Sequence, residues 1–195
     1  MLHANNIVSN SVSLQATRLP NPPTLIEHER LRFLIMDAPS QSNLKLYLRE
    51  MERHGVTDVV RVCDPTYARE MVEGQGISVH DWVFPDGDAP PDAVIRRWLL
   101  LVNDRFGLVQ RDAALVVPTG AAVAVHCVAG LGRAPVLVAI ALIESGMPAL
   151  DAVKFIRQRR RGAINNRQLK FLEGYRPKLA SLVSGDAAGG RCMLM

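Results

Sequence analysis

The stretch from Ala121 to Glu144 constrains the fold more than any other part of the chain. Ala121 to Val125 is apolar at every position, and beyond His126-Cys127 and a glycine-bearing loop come ten further apolar residues, Ala134 to Ile143, before Gly146 stops the run. The first segment suits a buried strand and the second a buried helix, since neither has a polar face to turn to water. Ten residues fall short of the roughly 18 to 20 needed to span a bilayer, so the helix belongs inside a folded domain and no transmembrane segment is expected.

Similar units flank this one. Val56 to Val62 is rich in β-branched residues and suits a mostly buried strand, and Ile77 to Val83 is a second candidate. Thr24 to His28 and Arg32 to Met36, around Glu29-Arg30, read as a hairpin or as two strands. Helical spacing appears in Leu44, Tyr47, Leu48 and Met51, which stop at Gly55, and a short helix lies near Tyr67 to Val72. Pro90-Pro91-Asp92 opens a helix that carries Val94, Ile95, Trp98, Leu101, Val102 and Phe106. Pro148 starts another to about Arg160, and Gln168 to Tyr175 belongs to the last. Strands alternating with helices imply an α/β fold with a mostly parallel central sheet flanked by helices. We read one domain over residues 24–180, between a flexible arm at 1–23 and a flexible tail at 181–195.

With 48% hydrophobic and 22% charged residues the chain is globular rather than disordered or fibrous. Cys63, Cys127 and Cys192 contain no CxxC pair, so they build neither a disulfide framework nor a four-ligand zinc site, and no metal is expected. The N-terminus lacks the pattern of a secretory signal, and its acid-free first 26 residues hold one arginine, Arg18, thin for a mitochondrial presequence. A reducing, cytosolic setting follows as the expectation. Net charge is +4 but unevenly placed: residues 151–178 hold nine Lys and Arg against Asp151 and Glu173. Such a stripe suits an anionic partner, or is a solvated helix face.

Val125-His126-Cys127-Val128-Ala129-Gly130-Leu131-Gly132-Arg133 carries the chemistry. A strand, a cysteine, five residues with two glycines and an arginine opening a helix make an anion cradle. Glycine lets backbone N–H groups turn inward, the helix N-terminus adds positive partial charge, and Arg133 can hold two oxygens of a tetrahedral phosphate. The same groups stabilise a thiolate, which makes Cys127 a nucleophile. Other readings explain less. Pro135 occupies the third glycine position of a dinucleotide fingerprint, and no Gly-Lys-Ser/Thr of a Walker loop occurs. A buried inert cysteine explains Cys127 but not the string around it.

The segment His126 to Pro135 resembles the active-site loop of the cysteine-dependent protein tyrosine phosphatases, and within them the phosphatases of regenerating liver, the type IVA family. Ala134 follows the arginine as in that subfamily, where most relatives have serine or threonine. Arg32-Phe33-Leu34-Ile35, Gly55-Val56-Thr57, Val60 to Asp64, Phe155 to Gln158, Arg160 to Ala163 and Tyr175 to Lys178 are similar as well. The resemblance covers about residues 24–180 and the last four. It implies the protein tyrosine phosphatase fold at dual-specificity size, with no cofactor. It also implies hydrolysis of phosphomonoesters through a phosphocysteine on Cys127, the phosphate held by Val128, Ala129, Gly130, Leu131, Gly132 and Arg133.

The leaving oxygen needs a proton, and a carboxylic acid supplies it. The family's acid loop reads Trp-Pro-Phe-Asp-Asp-Gly with the aspartate before glycine as the acid, which makes Asp86, before Gly87, the choice here. Val83 replaces the proline and Pro85 the first aspartate, departures that bear on loop stiffness and closure. Asp81 keeps a rival claim, and Asp81, Asp86 and Asp88 together also read as a solvated acidic loop. Ala134 lacks a hydroxyl that in relatives helps the thiolate depart, so slow turnover is implied. His126 is read as fixing the loop through a backbone hydrogen bond.

By the same resemblance Cys63 is a resolving thiol that pairs with Cys127 on oxidation, against the alternative of a plain buried cysteine. Cys192-Met193-Leu194-Met195 is a C-a-a-X box of the farnesylated type, with methylation to follow. One prenyl chain holds weakly, and with Arg191 alone upstream the 151–178 stripe would be the second signal. The implied location is the cytoplasmic face of the plasma membrane or endomembranes, with a cytosolic pool. The implied substrate is a phosphorylated protein, phosphotyrosine first, with phosphoserine/threonine and phosphoinositide open and no nucleic acid. A rival reading is a binding module whose cradle holds an acidic loop of a membrane partner such as a cyclin M magnesium transporter.

Overall fold

A computed structural model describes residues 19–109 and 120–189, the side chains of 186–189 excepted. The element order is β1 (Thr24–His28), β2 (Leu31–Asp37), α1 (Leu44–Arg53), β3 (Val56–Arg61), α2 (Glu70–Glu73), β4 (Ser78–Asp81), α3 (Asp92–Phe106), β5 (Ala122–Cys127), α4 (Arg133–Glu144), α5 (Ala149–Arg159), α6 (Asn166–Gly174) and α7 (Leu179–Gly189). The strands form one sheet in the order β1-β2-β5-β3-β4. β1 and β2 are an antiparallel hairpin, which settles the two readings of that segment, and every other pairing is parallel.

β5 is the central strand, and all six of its residues are buried. Its alternate side chains divide between two cores, as strand geometry requires. Val123 and Val125 join Phe33, Ile35, Val60, Trp98, Leu137 and Ile140 on one face, while Ala122 and Ala124 join Leu34, Met36, Leu44, Tyr47 and Met51 on the other. The burial of α4 runs unbroken from Arg133 to Ile143. Trp98 of α3 packs against this helix and donates its indole N–H to the Leu137 carbonyl at 2.7 Å, so its one polar atom is satisfied inside the core.

Two elements depart from the sequence expectations. The tail expected to be loose from residue 181 is helical to Gly189, because Leu179 is buried, Leu182 and Val183 pack on the core, and Ala180, Ala187 and Ala188 favour helix. The basic stripe is not one continuous face. Arg160 is buried, and Arg157 donates to the carbonyls of Ala163 at 2.9 Å and Ile164 at 2.7 Å, which leaves Lys154, Arg159, Arg161, Arg167, Lys170 and Arg176 exposed. The arm read over residues 1–23 falls outside the described residues up to residue 18, and Leu19 packs on the second core. Among the described residues no helix is long and apolar enough to cross a membrane.

Candidate active site

Parallel α/β sheets gather functional loops at the carboxyl ends of their strands. Here β2 ends at Asp37, β3 at Arg61, β4 at Asp81 and β5 at Cys127. Cys127, 2% exposed, is the last residue of the central strand, and α4 begins six residues later at Arg133.

Between them four consecutive carbonyls are tied to the surrounding protein. That of Val128 accepts from Ala38 N at 3.0 Å, that of Ala129 from Arg160 Nη2 at 3.1 Å, that of Gly130 from Arg160 Nε at 2.6 Å, and that of Leu131 from Ile164 N at 2.7 Å. A planar trans peptide points its N–H opposite its C=O, so the N–H groups of Ala129, Gly130, Leu131 and Gly132 face the other way, into the bowl above Cys127. Gly130 makes this turn at φ 63°, and a Cβ there would stand 2.5 Å from both the Met36 carbonyl oxygen and Arg160 Nη2.

Arg133 is 6% exposed, and its Nη1 donates to the carbonyls of Val62 at 3.0 Å and Phe84 at 3.1 Å. Its Nε lies 3.0 Å from Asp86 Oδ1 but off the N–H direction, so this buried donor has no hydrogen-bond partner. A buried unpaired guanidinium N–H is costly unless an acceptor reaches it, and an oxyanion in the bowl is such an acceptor. Asp86, Gly87, Cys127, Val128, Ala129, Leu131, Gly132, Gly162 and Asn165 line a cavity of about 260 Å3 there.

The three aspartates part company. Asp86, exposed on the loop after β4, reaches Arg133. Asp81 is engaged by Arg61, whose Nε and Nη2 donate to it at 2.6 and 2.9 Å, and those hydrogen bonds hold its carboxyl below the usual range. Asp88 pairs with Arg167. This arrangement favours Asp86 over Asp81 as the group facing the cradle.

His126 makes its short hydrogen bond to a side chain, the Tyr67 hydroxyl at 2.8 Å, besides one with the Cys127 backbone. Desolvation, helped by the Arg61 charge, pushes its pKa down to about 4, so the ring is neutral. Its Nδ1 is 3.9 Å from Cys63 Sγ. Cys63 is a free buried thiol whose pKa burial raises against the lowering pull of Arg133. Cys192 lies outside the described residues.

Sequence reasoning missed Arg160, Tyr67 and Asp37, which accepts from Arg160 at 2.8 Å. It also missed Asn165 and Gln168, although Asn165-x-x-Gln168 is a readable capping box that sets the start of α6 at Asn166.

A thiol on a central parallel strand, a bowl of inward amides and an arginine at the head of the next helix place the molecule in the class of cysteine-dependent protein tyrosine phosphatases. No protein-family model matches the chain. It is 52% identical over 157 residues to the protein tyrosine phosphatase type IVA 2 of Mus musculus, which covers 80% of this chain and 89% of that one. It is 46% identical over 168 residues to the PRL-1 phosphatase of Drosophila melanogaster, with 86% and 90% covered. A solved protein tyrosine phosphatase from Leishmania major superposes with a TM-score of 0.69 at 44% identity, over 79% of this chain and 98% of that one. The chain belongs to the protein tyrosine phosphatase type IVA family.

Proposed function

We propose that this phosphatase hydrolyses phosphomonoesters, phosphotyrosine in proteins first among them, by two displacements on Cys127. The observation that carries the reading is the set of amides from Ala129 to Gly132 turned over Cys127, beside the Arg133 Nε, which no hydrogen bond satisfies although Asp86 Oδ1 stands 3.0 Å away. The Cys127 thiolate attacks phosphorus and the bond to the leaving oxygen breaks as Asp86 hands that oxygen its proton. Water then attacks the phosphocysteine, Asp86 takes its proton, and phosphate and thiolate separate. The amides and Arg133 stabilise the charge of both transition states. Ala134 offers no hydroxyl to the departing thiolate, which makes the second step slow.

Purified full-length protein should release phosphate from a small aryl phosphate, and Cys127→Ser should not. Equal rates would refute the proposal. Parallel assays on phosphotyrosine, phosphoserine and phosphothreonine peptides and a phosphoinositide vesicle rank the substrates.

Two attachments belong to the same proposal. Farnesylation at Cys192 holds the enzyme at the cytoplasmic face of membranes, and Cys192→Ser should move it to the soluble fraction of cells. Cys63 captures oxidised Cys127 as a disulfide, supported by the adjacency of both thiols to His126 at the ends of neighbouring strands. Mass spectrometry after mild peroxide should show the linked peptides. Finding Cys63 free beside overoxidised Cys127 would rule this out.

Ala134 supports a second reading, in which the cradle chiefly holds an acidic loop of a membrane partner such as a cyclin M magnesium transporter. Asp86→Ala separates the two: loss of phosphate release with retained partner capture favours the binding role.

A further inference from the structure

The loop that carries Asp86 meets the start of α6 at three places. Asn165 Nδ2 donates to the Gly87 carbonyl at 3.1 Å, Gln168 Nε2 donates to the Asp88 carbonyl at 3.3 Å, and Arg167 pairs with the Asp88 carboxylate. The first two residues are also the α6 capping box. Asn165 Oδ1 accepts from Gln168 N at 2.8 Å, and Gln168 Oε1 accepts from Asn165 N at 3.1 Å. Each amide side chain therefore spends its oxygen on the helix and its nitrogen on the acid loop. Gln168 is fully buried, so its two bonds are made out of water.

Gly132 leaves the room this arrangement needs. A Cβ there would come within 3.3 Å of Gln168 Nε2 and 3.8 Å of Asp86 Oδ1, which puts the amide and the carboxylate against the same edge of the cradle. The loop's other anchors, buried Phe84 and the Arg133 bond to its carbonyl, lie before Asp86, while the α6 contacts lie after it. Asp86 is held from both sides, although its own side chain is exposed.

We infer that Asn165 and Gln168 are positioning residues for the general acid: the amide nitrogens of the α6 capping box latch Gly87 and Asp88, and thereby hold Asp86 over the cradle. This rests on the proposed role of Asp86 as the acid. A displaced acid costs most where the leaving oxygen is strongly basic and little where it departs unaided.

Asn165→Asp separates latch from cap. The carboxylate still accepts from Gln168 N and is a good N-cap, but it has no proton for Gly87 and repels that carbonyl. Asn165→Ser caps equally with too short a side chain to reach, and serves where the first variant folds poorly. Turnover should be compared between an aryl phosphate with a strongly acidic phenol and one with a weakly acidic phenol. Because Asn165 also lines the cavity, the readout is the ratio: either variant should slow the second substrate about tenfold more than the first, part of the roughly 100-fold or more that a positioned acid provides. The melting temperature should hardly change. If Asp86→Asn shows the leaving-group dependence and the Asn165 variants slow both substrates equally, the latch is refuted and the box serves only the helix. If Asp86→Asn itself shows no such dependence, the acid assignment fails and the latch falls with it.

Discussion

Arg160 donates from Nε to the Gly130 carbonyl at 2.6 Å, joining the end of α5 to the middle of the loop between β5 and α4. The same guanidinium reaches Ala129, Asp37 and Thr24, and so ties the loop to β1 and β2. Its forked geometry keeps two successive carbonyls facing away from the bowl.

Replacing Arg160 by Met should therefore damage ligand binding as well as stability. The pair with Asp37 is part-buried and Asp37 keeps a hydrogen bond from Asn21, so losing its counter-charge should cost less than the about 3 to 5 kcal/mol of a fully buried pair. Vanadate, a phosphate analogue, should bind about tenfold more weakly by calorimetry, as expected from losing about 1.4 kcal/mol of amide alignment. Arg160→Lys keeps the charge without the fork and should recover stability better than binding. Unchanged vanadate affinity in Arg160→Met would show that the loop holds its shape unaided.

His126 sets a pH dependence of stability. Its folded pKa of about 4 lies below the ordinary 6.5, so between these values the unfolded chain binds a proton that the folded one excludes. Its contribution is full above pH 6.5 and falls as pH drops, by about 3 kcal/mol at pH 4. Urea titrations should show the decline in this window, and His126→Gln should flatten it. A wild-type curve level down to pH 4 would contradict this.

Asp58 governs a lower window. Burial opposes its ionisation, but hydrogen bonds from His80, Arg105 and Thr57 prevail and hold its carboxyl well below the usual range. Its contribution is present above the ordinary carboxylate pKa of about 3.9 and is lost only as pH falls further. Asp58→Ala should cost about 1.5 to 3 kcal/mol, the loss of its charge-assisted hydrogen bonds, since Arg105 keeps Asp104 as a partner. Asp58 pairs in register with Val123, four residues before Cys127, so hydrolysis per folded molecule should stay within about twofold. A larger loss of activity in folded protein would show that the cluster communicates with the cradle.

What could be read from the sequence followed the range of the interactions. The β5-loop-α4 unit was legible because strand, glycines, Cys127 and Arg133 are contiguous and their environments are written in unbroken apolar runs. Asp86 came from resemblance, since nothing local separates it from Asp81 or Asp88. The supports of the site were not legible. Arg160 meets Asp37 across 123 residues, Tyr67 meets His126 across 59, and neither arginine nor tyrosine declares in sequence that it turns inward. Within a stretch rich in basic residues, Arg157 and Arg160 look like solvated charge until the fold places carbonyls beside them.

Surface loops ordinarily absorb extra residues at little cost. The stretch from Trp82 to Asp88 cannot. Trp82 N is pinned to the Arg61 carbonyl at 2.9 Å, Phe84 is sunk in the core, and Gly87 and Asp88 are gripped by α6. The number of links between those anchors works as a ruler that fixes where the carboxylate stands. Its residue types can drift, as Val83 and Pro85 have, while a single insertion or deletion would spoil the measure.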